Sequence, residues 1–157
     1  MKLHILRHAK TEPYSDSDLD IDRDLLPKGI QQSKLMADFL AQINPVEIHC
    51  SSSKRTRRTF DLVFSSGNYT SIHFSEELYL ADLNSLLDYL SKLETQNDIL
   101  LLAHNNGLSD LVNFLCDSEI DMKTCEYIEL DIPISKWKDI LSAKAIQIQS
   151  YHPHVVQ

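Results

Sequence analysis

The chain is short of glycine, with Gly29, Gly67 and Gly107 the three present. A glycine-rich loop that cradles a nucleotide needs several within a few residues, so binding of that kind is excluded. Cysteine is equally sparse: Cys50, Cys116 and Cys125 stand at long, irregular spacings. They fit neither a disulfide framework nor a zinc signature, and read as buried thiols in a reducing compartment. Positive charge is also scarce, with 15 Lys and Arg against 23 Asp and Glu, a formal net charge of -8. Such a chain cannot present a broad basic face, which excludes a general nucleic-acid partner and makes any local arginine cluster informative. No apolar run approaches the ~20 residues of a membrane-spanning helix. The stretch after Lys2 ends at Arg7, too short for a secretory signal. The expectation is a cytoplasmic protein with no membrane partner.

What is present is ordinary for a globular domain: 43% hydrophobic and 24% charged residues. There is no internal repeat or linker-like tract, and the length suits one domain over 1–157. Short strands are expected at 2–6, 46–50 and 71–74, and at the continuous apolar run "ILLLA" (99–103), which reads as a strand covered on both faces. Helical spacing links Leu35, Met36, Phe39, Leu40 and Ile43 after Pro27. Phe60, Val63 and Phe64 mark a second helix, Leu83 to Leu93 a third, and Leu108 to Leu115 a fourth. The acidic stretch "SDSDLDIDRDL" (15–25) reads as a solvated loop. Near the C-terminus, 127–132 and 146–149 alternate apolar and polar residues, like half-exposed strands at a sheet edge. The fold class expected is α/β, a mainly parallel sheet flanked by helices on both faces, with an antiparallel edge near the C-terminus.

Three of these strands end on reactive side chains. Arg7 and His8 follow the first, Arg55 follows the second, and His104 follows "ILLLA". In open parallel sheets ligands bind beyond the carboxyl ends of the strands, so these residues are placed to share one site. Two guanidiniums and two imidazoles with no carboxylate among them repel one another unless an anion sits at their centre. A phosphoryl group fits, because guanidinium forks match its oxygens. Histidine adds a nucleophilic nitrogen able to hold a covalent intermediate.

The segments "LRHAKTE", "SSSKRTRRT" and "LAHNNGLSD" resemble the motifs of the histidine phosphatase superfamily, the phosphoglycerate-mutase-like group. The likeness is closest to its small SixA-type phosphohistidine phosphatase branch and extends, through "DRDLLPKGIQQSKLMADFL" and "EELYLADLNSLLDYL", to about residue 115. The resemblance implies that His8 is the nucleophile, phosphorylated on its ring. It implies that Arg7 and Arg55 clamp the phosphoryl oxygens and that His104 stabilises the charge growing on the transferring group. Arg55 is preferred to Arg57 and Arg58 because the family's Arg-x-x-x-Thr spacing matches Arg55 and Thr59; the other two face solvent or pair with the acidic loop. Lys10, Asp82 and Asn105 are further candidates for substrate contact. Two arginines already supply the cationic clamp that Mg²⁺ provides elsewhere, so no metal or other cofactor is expected.

The sequence departs from the family at three places. The usual RHG triplet reads Arg7-His8-Ala9; Tyr14 replaces an asparagine that helps hold phosphate; Leu80 replaces the glutamate that protonates the leaving group. Asp82, or else Glu76 or Glu77, substitutes for that acid, or the acid is absent. The partner implied is a phosphohistidine-bearing protein. The alternatives are a small phosphomonoester and a non-catalytic phospho-ligand module. A metallohydrolase needs carboxylate ligands near His8 and His104 that the motifs lack. His4, His49 and His73 read as structural, satisfied by backbone or lying on an edge. "HPH" (152–154) reads as a frayed terminus rather than a metal site.

Overall fold

Strand β1 (Lys2–Arg7) sends Leu3 and Ile5 to one face of the sheet and Leu6 to the other, all fully buried. Such a strand needs a helical layer on each side, and the computed structural model, which describes residues 1–44 and 46–156, supplies both. The strands are β1, β2 (Val46–Ser51), β3 (Tyr69–Ser75), β4 (Ile99–Ala103), β5 (Tyr127–Asp131) and β6 (Ile146–Tyr151), in the spatial order β3-β2-β4-β1-β5-β6. β1, β2, β3 and β4 are mutually parallel; β5 runs against β1 and β6. Helices α1 (Pro27–Leu40) and α2 (Lys54–Val63) cover one face, packing Met36, Leu40, Phe60 and Val63 onto Leu6, Ile48, Leu100 and Leu102. Helices α3 (Leu83–Ser91) and α4 (Gly107–Cys116), with a 3-10 turn at Trp137–Ser142, cover the other.

Four local readings change. Helix α1 stops at Leu40, before Ile43. Helix α2 begins at Lys54, well before its first apolar residue, because the Ser53 side chain accepts the Thr56 N–H and starts the helix there. β5 is not a half-exposed edge: β6 takes the edge, and Tyr127 through Leu130 are buried, Ile128 and Leu130 in the core on one face and Tyr127 in the core on the other. Its polar alternation reflects internal pairing, with Glu129 bound to Lys2 Nζ at 2.6 Å and to Gln149. β6 is the exposed edge, with Ile146 70% and Ile148 51% exposed. The acidic segment is not simply solvated; it forms a 3-10 turn at Asp20–Asp22 and binds Arg55. Among the described residues no helix is long and apolar enough to cross a membrane.

Candidate active site

His8 leaves β1 with its backbone pinned on both sides. Its N–H donates to the Ala103 carbonyl at 3.3 Å, and its own carbonyl accepts from Cys125 at 2.9 Å. The next N–H, Ala9, donates to Thr59 Oγ1 (3.1 Å), and that hydroxyl donates to the Arg55 carbonyl (2.8 Å). The Arg-x-x-x-Thr spacing thereby ties the second strand's helix to the first strand's turn. Gly29 is needed here, since a Cβ would lie 2.1 Å from the Lys10 carbonyl oxygen and push α1 off the turn.

The His8 ring is 6% exposed, with Nδ1 2.8 Å from the Ala9 carbonyl oxygen. A carbonyl only accepts, so Nδ1 carries the proton and Nε2 keeps its lone pair. Burial, together with the Arg55 and Arg7 charges, pushes the pKa of His8 down to about 3 against the opposing hydrogen bond to Ala9. His104 stands beside it, the ring centroids 5.3 Å apart and the planes tilted by 57°. Its Nε2 is 2.7 Å from Ser51 Oγ at the end of β2. Burial, then the His8 and Arg55 neighbours, push its pKa down to about 2. Both imidazoles are neutral, and one offers an unprotonated nitrogen.

Arg7 is held by Nη1 donating to the Met122 carbonyl at 2.6 Å. Arg55, at 1% exposure, is held from the acidic loop: Nη1 donates to the Asp20 carbonyl (2.8 Å) and Nη2 to Asp20 Oδ2 (3.0 Å). Tyr79 donates its hydroxyl to the same carboxylate oxygen and sets its ring edge-on to His104 at 5.6 Å. Arg23 binds Asp20 Oδ1 at 2.9 Å. Against a desolvation cost, the bonds from Tyr79 and Arg55 hold the Asp20 carboxyl below its usual range, so it is ionised.

Among the described residues, Arg7 Nε, Arg55 Nε and His104 Nδ1 are buried and have no hydrogen-bond partner. Each such group costs about 1–3 kcal/mol if left unmet. An oxyanion beside His8 would satisfy donors of this kind.

The remaining sequence candidates divide. Asn105 does not offer its amide to a ligand: Nδ2 donates to Asp121 and to the Met122 carbonyl, while Oδ1 accepts from Ser109. It braces the loop that holds Arg7. Asp82 caps α3, its Oδ1 accepting from Ser85 at 2.9 Å, and that bond lowers its pKa, the wrong direction for a proton donor. Glu76 and Glu77 are exposed in a 3-10 turn. Leu80 is 54% exposed and Tyr14 81%. Lys10 lines a separate groove of about 270 Å³ with Lys28, Lys123, His152 and His154, where Pro153 is buried, so the tail is packed rather than frayed. Asp20, Arg23, Tyr79 and Ser51 were missed. Ser51 stands four residues before Arg55 at its strand end; Asp20 and Arg23 pair locally, three residues apart, but Asp20 reaches Arg55 and Tyr79 only through tertiary contacts.

Two arginines and two neutral histidines lie together beyond the carboxyl ends of the parallel strands, an arrangement suited to holding a phosphoryl group. The sequence model of the histidine phosphatase superfamily (branch 1) matches residues 3–86, more than half of the chain, and the protein belongs to that superfamily, a phosphatase by class. An uncharacterized protein of Mycobacterium tuberculosis (strain H37Rv) is 28% identical over 134 residues, 83% of this chain and 82% of that protein. A candidate phosphohistidine phosphatase SixA from Nakamurella multipartitia superimposes with a TM-score of 0.83 at 20% identity, over 98% of this chain and 96% of that one. The protein histidine phosphatase SixA complexed with tungstate gives 0.80 at 21% identity, over 97% of both chains. These structures share the fold.

Proposed function

We propose that the protein hydrolyses phosphohistidine on a partner protein through a covalent intermediate on His8. The observation that carries this reading is a neutral His8 with Nε2 free, standing among buried donors that lack partners. The His8 Nε2–P bond forms as the substrate's P–N bond breaks, with Arg7 and Arg55 holding the equatorial oxygens. Ser51 donates to His104 Nε2, leaving the His104 Nδ1–H to meet the third oxygen. Water then attacks phosphorus, orthophosphate departs and His8 is restored. The tungstate held by the SixA relative, a tetrahedral oxyanion, fits the same reading.

The leaving-group side favours P–N over alkyl P–O bonds. Leu80 cannot donate a proton, the Asp82 carboxylate is committed to a helix cap, and Asp20 is ionised. Expelling an alkoxide without a positioned acid forfeits about 10²–10⁴-fold. An imidazole leaves readily once its far nitrogen is protonated, feasible near its reference pKa of about 6.5. The test compares kcat/KM on a phosphohistidine peptide, an aryl phosphate and an alkyl phosphate. Wild type should favour the first two, and Leu80→Glu should raise alkyl activity more than phosphohistidine activity. High alkyl activity that disappears in Asp82→Asn would make Asp82 a working acid and the enzyme a phosphomonoesterase.

A further inference from the structure

On the α3 side of the sheet, at the strand pair β2–β3, three potential ligands meet away from the catalytic pocket. His49 and His73 are direct partners in the parallel register, and Glu47 lies two residues before His49 on the same face of β2. Glu47 Oε1 is 3.0 Å from His49 Nε2 and 3.5 Å from His73 Nε2, and the three ligand atoms lie within 4.8 Å of one another. We propose that Glu47, His49 and His73 form a binding site for a zinc-class divalent ion.

The spacing suits a tetrahedral ion. With bonds of about 2.0–2.2 Å, two ligands of tetrahedral zinc stand about 3.4 Å apart. The two separations to Glu47 Oε1 bracket that value, and the third, between the two imidazole nitrogens, is within 4.8 Å. Two imidazoles and one carboxylate are a donor set for zinc and its neighbours in the transition series, not for Mg²⁺ or Ca²⁺, which take oxygen ligands.

Groups behind the ligands are also in place. His49 Nδ1 lies 2.7 Å from the Tyr89 hydroxyl on α3. A phenol both donates and accepts, so His49 can move its proton to Nδ1 and present a bare Nε2 without losing that bond. The other oxygen of Glu47 accepts from Thr95 Oγ1 at 2.8 Å and Asn97 Nδ2 at 3.0 Å. Partners of this kind orient metal ligands and are worth about 10–100-fold in affinity. His49 and Glu47 are buried, whereas the His73 side chain is 51% exposed, giving an ion a route in and an open fourth position for water. The ion would lock β3, the sheet's other edge, to β2 and to the loop after α3. Two residues further along β2, Ser51 holds His104.

The experiment is zinc titration of the full chain in competition with a chromogenic chelator, with thermal midpoints recorded alongside. Wild type should bind one zinc per chain and gain thermal stability. His73→Gln, an exposed change that leaves the fold intact, should lose about tenfold or more in affinity and most of that gain. Glu47→Gln should lose at least as much, Mg²⁺ should not compete, and phosphatase activity of His73→Gln should match wild type. The proposal is overturned by no zinc binding, by binding unchanged in His73→Gln, by loss in a His152→Gln/His154→Gln double variant instead, or by loss in His8→Ala instead. Those outcomes leave the catalytic reading untouched, and a catalytically dead wild type would leave this one untouched.

Discussion

Two histidine pairs sit in this small sheet, and they differ in company rather than in burial alone. His8 and His104 meet at 5.3 Å, tilted by 57°, surrounded by Arg7 and Arg55. His49 and His73 stack at 4.7 Å and 21°, around the Glu47 carboxylate. Cations around a neutral imidazole pair make a place for an anion and a bare nucleophilic nitrogen. A carboxylate between two imidazoles makes a place for a cation. The same side chain thus acquires opposite tasks from the sign of its neighbours.

Removing a histidine from each pair should separate them most sharply. His8→Ala should abolish the acid-labile phosphoenzyme in rapid-quench labelling and cut turnover by more than about 10³-fold, whereas His49→Gln should keep turnover and lose thermal stability. Label trapped on His104 in wild type would reverse the assignment within the first pair. Next in size, Arg55→Ala should cost about 10²–10³-fold in kcat/KM, as expected for one preorganised electrostatic donor. A loss under tenfold would mean that Asp20, not substrate, is the partner that matters for Arg55.

The pH dependence of stability sharpens the comparison further. Folded His8 and His104 stay neutral down to about 3 and 2, while their unfolded counterparts take up protons near 6.5. The unfolded state therefore binds more protons between those values, and stability must fall as pH drops below about 6.5. Each histidine contributes at most about 1.4 kcal/mol per pH unit in that window. His49 is also lowered by burial but is opposed by Glu47, so its share should be smaller. Urea unfolding at pH 7 and pH 5 should show a shallower loss in His8→Gln than in wild type; equal losses would mean His8 is charged in the fold. Smallest of all, Asp20→Asn should tighten orthophosphate inhibition by about threefold to tenfold, because it removes one negative charge 3.0 Å from Arg55 and keeps an acceptor. Weaker inhibition would show that the carboxylate serves mainly to position the guanidinium.

The sequence alone determined the layer order, because helical and strand periods alternate cleanly and "ILLLA" announces a strand buried on both faces. It also brought Arg7, His8, Arg55 and His104 to one sheet edge, because each ends a strand, directly follows one or opens the helix after one, and chain direction carries them the same way. Only the tertiary structure decided what surrounds them. Asp20 and Tyr79 reach Arg55 across 35 and 24 residues of chain, and no local pattern encodes a pairing at that distance. Asp82 and Asn105 looked free because a sequence shows donors and acceptors but not whether a cap or a neighbouring loop already uses them. β5 read as an edge strand for the same reason: buried Glu129 and exposed glutamate are one letter, and what separates them is the Lys2 ammonium brought alongside by the antiparallel pairing with β1.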